Sequence, residues 1–222
     1  MDITFAYLID IFLHLDKYLG MVINQYGFET YIILFLIIFL ETGLVVTPFL
    51  PGDSLIFAAA ALSTTAVNSE TLNIYVLIGL LMVAAILGDT ANYEIGRVFG
   101  NKLIKFGGGK LIKQEHLDKT HKFYEKYGGK TIIFARFIPI VRTLAPFVAG
   151  IGKMHYRTFI SFNAMGGILW VLGVSGLGYF FGNMPIVKNN FELVVIAIIV
   201  ISIMPAVIEV LKSKMKKTDR IA

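Results

Sequence analysis

Residues 31–55 read YIILFLIIFLETGLVVTPFLPGDSL, an apolar run that charged and helix-breaking residues interrupt. The first ten residues suit the interior of a bilayer. The interrupting residues are Glu41, Pro48, Pro51, Gly52 and Asp53. The apolar limb that follows, 54–62, has about nine residues, which is too short to cross a bilayer as a helix. Because non-helical backbone at membrane depth must be buried in protein or line a polar cavity, we predict a re-entrant hairpin over 30–62. Its turn is expected at Pro48, Pro51 and Gly52.

The chain as a whole has the composition of an integral membrane protein. Of its 222 residues, 56% are hydrophobic and only 16% are charged, which exceeds what the core of a soluble domain needs. About six apolar blocks use almost all of the chain. We therefore expect one all-α membrane domain over 1–222. The sequence has no cysteine, which excludes disulfides and thiolate metal sites.

The distribution of Lys and Arg predicts how the chain is oriented. Basic residues outnumber acidic ones nine to three over 97–130 and five to one over 212–220, whereas 63–78 contains none. By the positive-inside rule the first two regions are cytoplasmic and the third is outside. Nucleic-acid binding is the alternative explanation of the net charge of +5. It is not favoured, because the basic clusters lie where anionic lipid headgroups would be.

Three full crossings satisfy this charge pattern. They are transmembrane helices at 74–97, at 156–181 and at 191–211, and the last of these leaves the C-terminus in the cytoplasm. The intervening segment 101–130 has charged pairs and an apolar stripe at helical spacing, which predicts a cytoplasmic amphipathic segment on the membrane surface. Residues 1–20 show a similar pattern and predict an interfacial helix rather than a cleaved leader.

A second apolar block, TIIFARFIPIVRTLAPFVAGIGK at 131–153, is also not an ordinary span. Lysines flank both of its ends, so both ends prefer the cytoplasm. Arginines and helix-breaking residues lie inside it: Arg136, Pro139, Arg142, Pro146 and Gly150. We predict a second re-entrant hairpin over 131–152 that turns at Pro139, Pro146 and Gly150.

The two hairpins belong to a repeated pattern. TPFLPG at 47–52 is similar to APFVAG at 145–150, and GRVFGN at 96–101 is similar to GYFFGN at 178–183. Each half would consist of a hairpin and one transmembrane helix, and the odd number of crossings inverts the second half relative to the first. Chance similarity between apolar, glycine-rich segments is the alternative. The predicted repeats are 28–100 and 131–183.

Charged residues within the apolar blocks are the candidate functional residues. An arginine at the bilayer centre costs about 2.5–3.5 kcal/mol, so Arg136 and Arg142 need partners or an anionic ligand, and we expect at least one to bind substrate. Glu41 and Asp53 are their expected counterparts, which could take up a proton when an anion arrives. Helix capping is the alternative role for Asp53. Asp89, in the first span, is a candidate proton relay.

Other polar positions are better explained by helix packing. Asn92, Tyr93 and Asn163 are expected to form hydrogen bonds between helices, and Asn163 shares a stripe with Gly167 and Trp170. Gly96 and Gly178 each begin a GxxxG sequence that permits close packing, so a homodimer stays open. The four histidines are not spaced like metal ligands, and no phosphate loop or nucleophile elbow appears. We expect no metal, no cofactor and no enzyme activity.

Three ordered motifs resemble the DedA family of bacterial membrane proteins, whose shared region is also called the VTT or SNARE-associated domain. They are FLETGLVVTPFLPGDSL, GDTANYEIGRVFGN and FARFIPIVRTLAPFVAGIGKMHYRTFISFNAMGGILWV, and the similarity runs from about Phe28 to Phe181. The resemblance implies a multi-pass lipid transporter of the cytoplasmic membrane with two opposed re-entrant hairpins. The family's functional acids and arginines map onto Glu41, Asp53, Arg136 and Arg142.

The resemblance also implies a lipid substrate. Family members are implicated in returning undecaprenyl phosphate, the carrier lipid of cell-wall synthesis, to the cytoplasmic leaflet, and others in moving phosphatidylethanolamine. Two arginines suit a phosphate monoester whose long tail stays in lipid. We therefore expect a proton- or ion-coupled flippase for undecaprenyl phosphate. A flippase or scramblase for phosphatidylethanolamine or phospholipids in general, and a small-ion exchanger, are the alternatives.

Overall fold

The computed structural model describes residues 10–11, 14–44, 52–64, 72–106 and 128–198, together with 200 and 204. All regular secondary structure in these residues is helical, so the all-α prediction is confirmed for this part of the chain. Residues 191–198 are helical in addition to eight named helices. These are α1 (Leu15–Tyr26), α2 (Glu29–Gly43), α3 (Gly52–Leu62), α4 (Ile74–Phe106), α5 (Lys130–Ala135), α6 (Pro139–Ile151), α7 (Tyr156–Phe181) and α8 (Pro185–Asn189).

Two of the helices are long and apolar enough to cross a membrane. They are Ile74–Phe99 of α4 and Tyr156–Phe181, which is α7, and each has 26 residues. At about 1.5 Å per residue each is about 39 Å long, which exceeds the roughly 30 Å of a hydrocarbon core. Both agree with the spans predicted at 74–97 and 156–181. The third predicted span, 191–211, lies outside the described residues beyond 198, apart from residues 200 and 204.

The limbs of the predicted hairpins are shorter than a bilayer. Helix α3 has 11 residues and α6 has 13, which correspond to about 16 and 20 Å. Neither can cross the hydrocarbon core by itself, as re-entrant limbs require. How deep the hairpins enter, and from which side, stays a prediction.

The break in the second hairpin lies at 136–138. Ile138 is extended, with φ −120° and ψ 107°, and Pro139 is the first residue of α6, a position where a proline costs no hydrogen bond. Pro146 and Gly150 lie inside α6, so the prediction that they form the turn is wrong. The fixed φ of Pro146 suits a helix, although its nitrogen cannot donate to the carbonyl of Arg142.

The first hairpin is described on both sides of its predicted turn. Gly52 is the first residue of α3, whereas Pro48 and Pro51 lie outside the described residues. Gly150 is the next-to-last residue of α6, so TPFLPG and APFVAG end at opposite ends of their limbs. That pairing of the two segments is not supported, because short apolar sequences with Pro and Gly can occur at either end of a helix.

Both halves of the chain pack in the same pattern. The first limb of each hairpin packs on the span of its own half, α2 on α4 and α5 on α7, whereas the second limbs cross over. Helix α3 packs on α7 and α6 packs on α4, and the two spans also touch each other. The crossed packing is the pattern that two related halves would produce. An inverted orientation of the halves stays a prediction.

Glycines bring the crossing helices close together. A Cβ atom on Gly96 of α4 would lie 2.2 Å from the carbonyl oxygen of Phe147 in α6, and one on Gly150 would lie 2.1 Å from that of Tyr93. A Cβ on Gly178 would lie 2.3 Å from the Phe57 carbonyl oxygen. Since Gly96 and Gly178 pack within the chain, they give no support to a homodimer.

The predicted amphipathic segments are described only in part. Helix α4 continues through 101–106 without a break, and residues 107–127 of the predicted cytoplasmic segment lie outside the described residues. At the N-terminus α1 buries Leu15, Leu19 and Ile23 in a core shared with α2, α3, α4, α7 and 191–198. The membrane-surface placement of both segments stays a prediction.

Candidate functional site

Arg142 lies in the first turn of α6 and joins the two hairpins. Its Nη2 atom is 2.5 Å from Oε1 of Glu41, near the end of α2, and its Nη1 atom is 2.9 Å from Oδ1 of Asp53, in the first turn of α3. Carboxylates from both limbs of the first hairpin therefore converge on one guanidinium of the second. Asp53 lies inside α3 rather than before it, where its charge also favours the helix N-terminus.

A glycine makes room for the Glu41 carboxylate. A Cβ atom on Gly52 would lie 1.7 Å from Oε2 of Glu41, which is far inside van der Waals contact. Only glycine fits at the start of α3 while Glu41 keeps this position. The PGD sequence at 51–53 therefore provides both the space for one carboxylate and the second carboxylate itself.

Arg136 lies at the break between α5 and α6 and has different partners. Its Nη2 atom forms an ion pair with Asp89 of α4 and donates a 2.5 Å hydrogen bond to Oδ1 of Asn163 in α7. Asn163 in turn donates to the carbonyl oxygen of Ile86 at 3.1 Å. The structure thus brings Glu41 and Asp53 to Arg142, but it brings Arg136 to Asp89.

Trp170 of α7 contacts both arginine clusters. Its Nε1 donates a 2.8 Å hydrogen bond to Oδ1 of Asp53. The Cζ atom of Arg142 lies 4.7 Å from its ring centroid and that of Arg136 lies 5.8 Å away. The sequence indicated Trp170 only as part of a polar stripe, so its place between the arginines was missed. The available signal was its position seven residues after Asn163, on the same face of the helix.

Asn92 ties together the helices that carry the ion pairs. Its Nδ2 donates to the carbonyl oxygen of Thr42 at 3.1 Å and to that of Thr143 at 2.8 Å. These residues directly follow Glu41 and Arg142, so the bridge holds the backbone beside the pair in place. Tyr93 likewise donates to the Met154 carbonyl at 2.5 Å. Asn92 and Asn163 therefore form the predicted hydrogen bonds between helices, whereas Tyr93 bonds to Met154 in the loop before α7.

The site has more negative than positive groups and unused hydrogen-bond donors. Three carboxylates and two guanidiniums meet there, and the two arginine side chains are 1% and 5% exposed. Among the described residues, Nε and Nη1 of Arg136 and Nε of Arg142 have no hydrogen-bond partner. A buried donor without a partner costs about 1–3 kcal/mol. The oxygens of an oxyanion are acceptors of the kind that these donors lack.

No metal centre is evident in the part of the chain that the structure describes, where no three His, Asp or Glu side chains are grouped so as to hold an ion. The expectation of no metal, no cofactor and no enzyme activity stays a prediction.

Comparisons with known proteins agree with the helical membrane architecture. The family model for the VTT domain matches residues 50–180. Protein DedA of Escherichia coli strain K12 is 54% identical over 214 residues, which are 96% of this chain and 96% of that protein. Inner membrane protein YghB of Salmonella typhimurium is 32% identical over 191 residues, 83% of this chain and 85% of its own.

A third relative is also named an inner membrane protein. Inner membrane protein YqjA of Escherichia coli strain K12 is 36% identical over 156 residues, 70% of this chain and 69% of its own. No solved structure matches the chain. Because YghB and YqjA are named inner membrane proteins, the comparisons support a location in a bacterial membrane.

Proposed function

Because the chain belongs to the DedA family of VTT-domain membrane proteins, we propose that it is a flippase that moves undecaprenyl phosphate across the cytoplasmic membrane. The family supports a transporter-like role, and the choice of lipid rests on the site. The observation that carries the proposal is the pair of buried arginines in the second hairpin, Arg136 and Arg142, because Nε and Nη1 of Arg136 are unused donors. A phosphate monoester supplies oxygen acceptors for both guanidiniums.

The surroundings of Arg136 suit a headgroup attached to a long apolar tail. Phe134 and Phe137 flank it in sequence and are 70% and 51% exposed, whereas Arg136 itself is 2% exposed. In a membrane these phenylalanine side chains face lipid. A polyprenyl phosphate could place its phosphate on Arg136 and leave its tail against this apolar surface.

Charge compensation supports proton coupling. Glu41, Asp53 and Asp89 outnumber Arg136 and Arg142 by one, so the empty site has a formal charge of −1 if all five groups are ionised. Adding an anion makes the buried charge more negative, which is costly in a low-dielectric interior. We propose that one or more carboxylates take up a proton as the phosphate binds and release it when the lipid leaves. Asp89 could take part in this exchange because it pairs with Arg136.

The alternatives differ in what the arginines must bind. Phosphatidylethanolamine is zwitterionic, so its headgroup offers less negative charge to two guanidiniums than a phosphate monoester does. A small-ion exchanger would need a continuous polar path. The buried charged residues of the described chain are confined to the site at the hairpins, namely Glu41, Asp89, Arg136 and Arg142. This distribution favours a lipid headgroup over a free ion.

The experiment is leaflet exchange of undecaprenyl phosphate in liposomes that contain the purified protein. We expect Arg136→Ala and Arg142→Ala each to lower the exchange rate at least about ten-fold, equivalent to about 1.4 kcal/mol. Arg157→Ala is the matched control, because Arg157 lies on α7 but is exposed. Unchanged exchange in both site variants would refute the roles given to the two arginines.

The same liposomes separate the alternatives. Phosphatidylethanolamine exchange that depends on Arg136 and exceeds that of the polyprenyl phosphate would replace the proposed substrate. Ion flux without lipid movement would favour the exchanger, and release of free phosphate would indicate a phosphatase.

A further inference from the structure

Trp170 is placed where a change at Arg142 must affect it. Oδ1 of Asp53 accepts two hydrogen bonds, one from Nη1 of Arg142 at 2.9 Å and one from the Trp170 indole at 2.8 Å. The indole ring also lies against the Arg142 guanidinium, with 4.7 Å between Cζ and the ring centroid. Trp170 is 2% exposed and the Asp53 side chain 20%, so both contacts are largely shielded from water.

We propose that Trp170 is a positioning residue for lipid binding, whose indole N–H holds the Asp53 carboxylate while an anionic headgroup replaces that carboxylate on Arg142. This inference rests on the proposed function, in which an anionic headgroup binds the arginines. The Trp170 side chain is neutral and need not touch the lipid to have this effect.

The physical reason is how many of these two donors one oxygen keeps after the exchange. With Trp170 in place, Oδ1 of Asp53 keeps the indole N–H when the headgroup takes Arg142. Without the indole N–H it starts with one of the two donors and keeps neither. A carboxylate that is largely shielded from water is costlier to leave without both of these hydrogen bonds than without one, so the exchange becomes less favourable and lipid binds more weakly.

The indole ring has a second effect that supports the same exchange. A guanidinium that stacks on an aromatic face keeps its N–H groups free at its edge. Arg142 can therefore keep its contact with Trp170 while its Nη atoms change partners from carboxylate to phosphate. The ring stays in contact with the cation before and after the exchange.

The test is a double-mutant cycle on lipid affinity. Trp170→Phe keeps an aromatic ring and removes the N–H, and Asp53→Ala removes the acceptor. We expect Trp170→Phe to weaken binding of a polyprenyl phosphate about ten-fold in the wild-type background. In the Asp53→Ala background the same change should alter affinity less than about two-fold, because no carboxylate is left to hold.

A control variant separates this role from packing. Phe159 is fully buried on the same helix and stacks on Tyr93, with 4.4 Å between ring centroids. Phe159→Leu should leave lipid affinity within about two-fold, since it removes packing without removing a hydrogen bond. An equal loss of affinity for Trp170→Phe in both backgrounds would identify a purely structural residue and overturn the inference.

Fluorescence gives an independent readout. The chain contains one tryptophan, so the intrinsic tryptophan emission reports on Trp170 alone. We expect the wild-type emission to change on titration with the polyprenyl phosphate, because the Asp53 oxygen beside the indole loses its contact with Arg142. Unchanged emission at a saturating lipid concentration would contradict the exchange.

The outcomes also distinguish this inference from the proposed substrate. If the wild type binds phosphatidate or phosphatidylglycerol but no polyprenyl phosphate, the proposed substrate is wrong and the cycle with the bound lipid decides the role of Trp170. If it binds a polyprenyl phosphate but the cycle shows no coupling, the inference alone fails. If it binds none of these anionic lipids, both fail.

Discussion

The two buried arginines differ in the balance of charge around them. Arg136 has one carboxylate partner and one neutral amide, Asp89 and Asn163. Arg142 has two carboxylate partners, Glu41 and Asp53. The excess negative charge of the site is therefore local to Arg142. An incoming anion is repelled there until a carboxylate is neutralised or displaced, whereas at Arg136 it meets a balanced pair with unused donors.

The Arg136 ion pair can be tested through stability. Asp89→Leu leaves a buried guanidinium without its carboxylate, and we expect the free energy of unfolding to fall by about 3–5 kcal/mol. Replacing both partners, as Arg136→Met with Asp89→Leu, should recover most of this loss because no buried charge remains. The measurement is denaturant unfolding in detergent micelles for the two single variants and the double variant.

The double variant also serves as the control for the two single variants. If the double variant loses as much free energy of unfolding as the two single variants lose together, the pair has no energetic coupling and the two side chains act independently. A double variant that folds stably yet moves no lipid would separate the function of the pair from its effect on stability.

Charged side chains within apolar blocks made most of the site visible in the sequence. Glu41, Asp53, Asp89, Arg136 and Arg142 all stand out because isolated charges are costly in a bilayer. Which acid pairs with which arginine was harder to predict, because the pairing depends on where α5 ends and on which helix packs against residues 136–138. Trp170 was missed as a contact of both arginines, since a tryptophan in an apolar span needs no special explanation.

At the level of helices, the contact between α4 and α6 sets the position of Arg142. Gly96 and Gly150 allow the two backbones to approach from both sides, and Asn92 donates to Thr143 beside the arginine. The sequence suggested a turn at Pro146 and Gly150 because these residue types break helices. Here Gly150 serves close approach and Pro146 is accommodated within the helix. Local residue preferences cannot distinguish these uses without the neighbouring helix.

A methyl group at the crossing should displace α6. For Gly150→Ala we expect a loss of about 1–3 kcal/mol in the free energy of unfolding, because the added carbon would overlap the backbone of Tyr93. Lipid exchange should fall as well, since Arg142 moves with α6. Thermal unfolding in detergent and the liposome assay measure the two effects.

Gly79→Ala is the matched control for this substitution. Gly79 lies on α4, and a Cβ there would have no atom within 4 Å. The change should be neutral or stabilise the helix by up to about 1 kcal/mol. If Gly150→Ala behaved like Gly79→Ala, the close approach of α4 and α6 would not limit the position of Arg142.

For the whole molecule, the positions and lengths of the two long helices agree with the sequence prediction. Their orientation in the membrane does not follow from helix packing. Hydrophobic length predicted the spans that become α4 and α7, because helix length follows from bilayer thickness. The inside and outside faces were predicted from Lys and Arg alone, and packing within the protein carries no information on sidedness. The orientation therefore requires a measurement on the membrane.

The absence of cysteine from the sequence allows sidedness to be measured with single-cysteine variants. Lys153 lies before α7 and Lys188 lies after it, and both are exposed. We expect a membrane-impermeant maleimide to label Lys188→Cys in intact cells and Lys153→Cys only after the membrane is permeabilised. The physical reason is that α7 is about 39 Å long and separates the two positions.

Labelling of both variants in permeabilised cells serves as the accessibility control. The predicted orientation is wrong if Lys153→Cys is the variant labelled in intact cells. Labelling of both from outside would mean that α7 does not cross the membrane.

Because the two halves pack across each other, the order in which the chain is synthesised determines when the site can form. Glu41, Asp53 and Asp89 precede the arginines they pair with by 101, 89 and 47 residues, and synthesis proceeds from the N-terminus. All three acids are therefore made before either cation exists, and α3 is made before the span on which it packs. Neither half of the gene by itself encodes both signs of charge at the site, so fragments that end after α4 or begin after it would contain only acids or only arginines at this position.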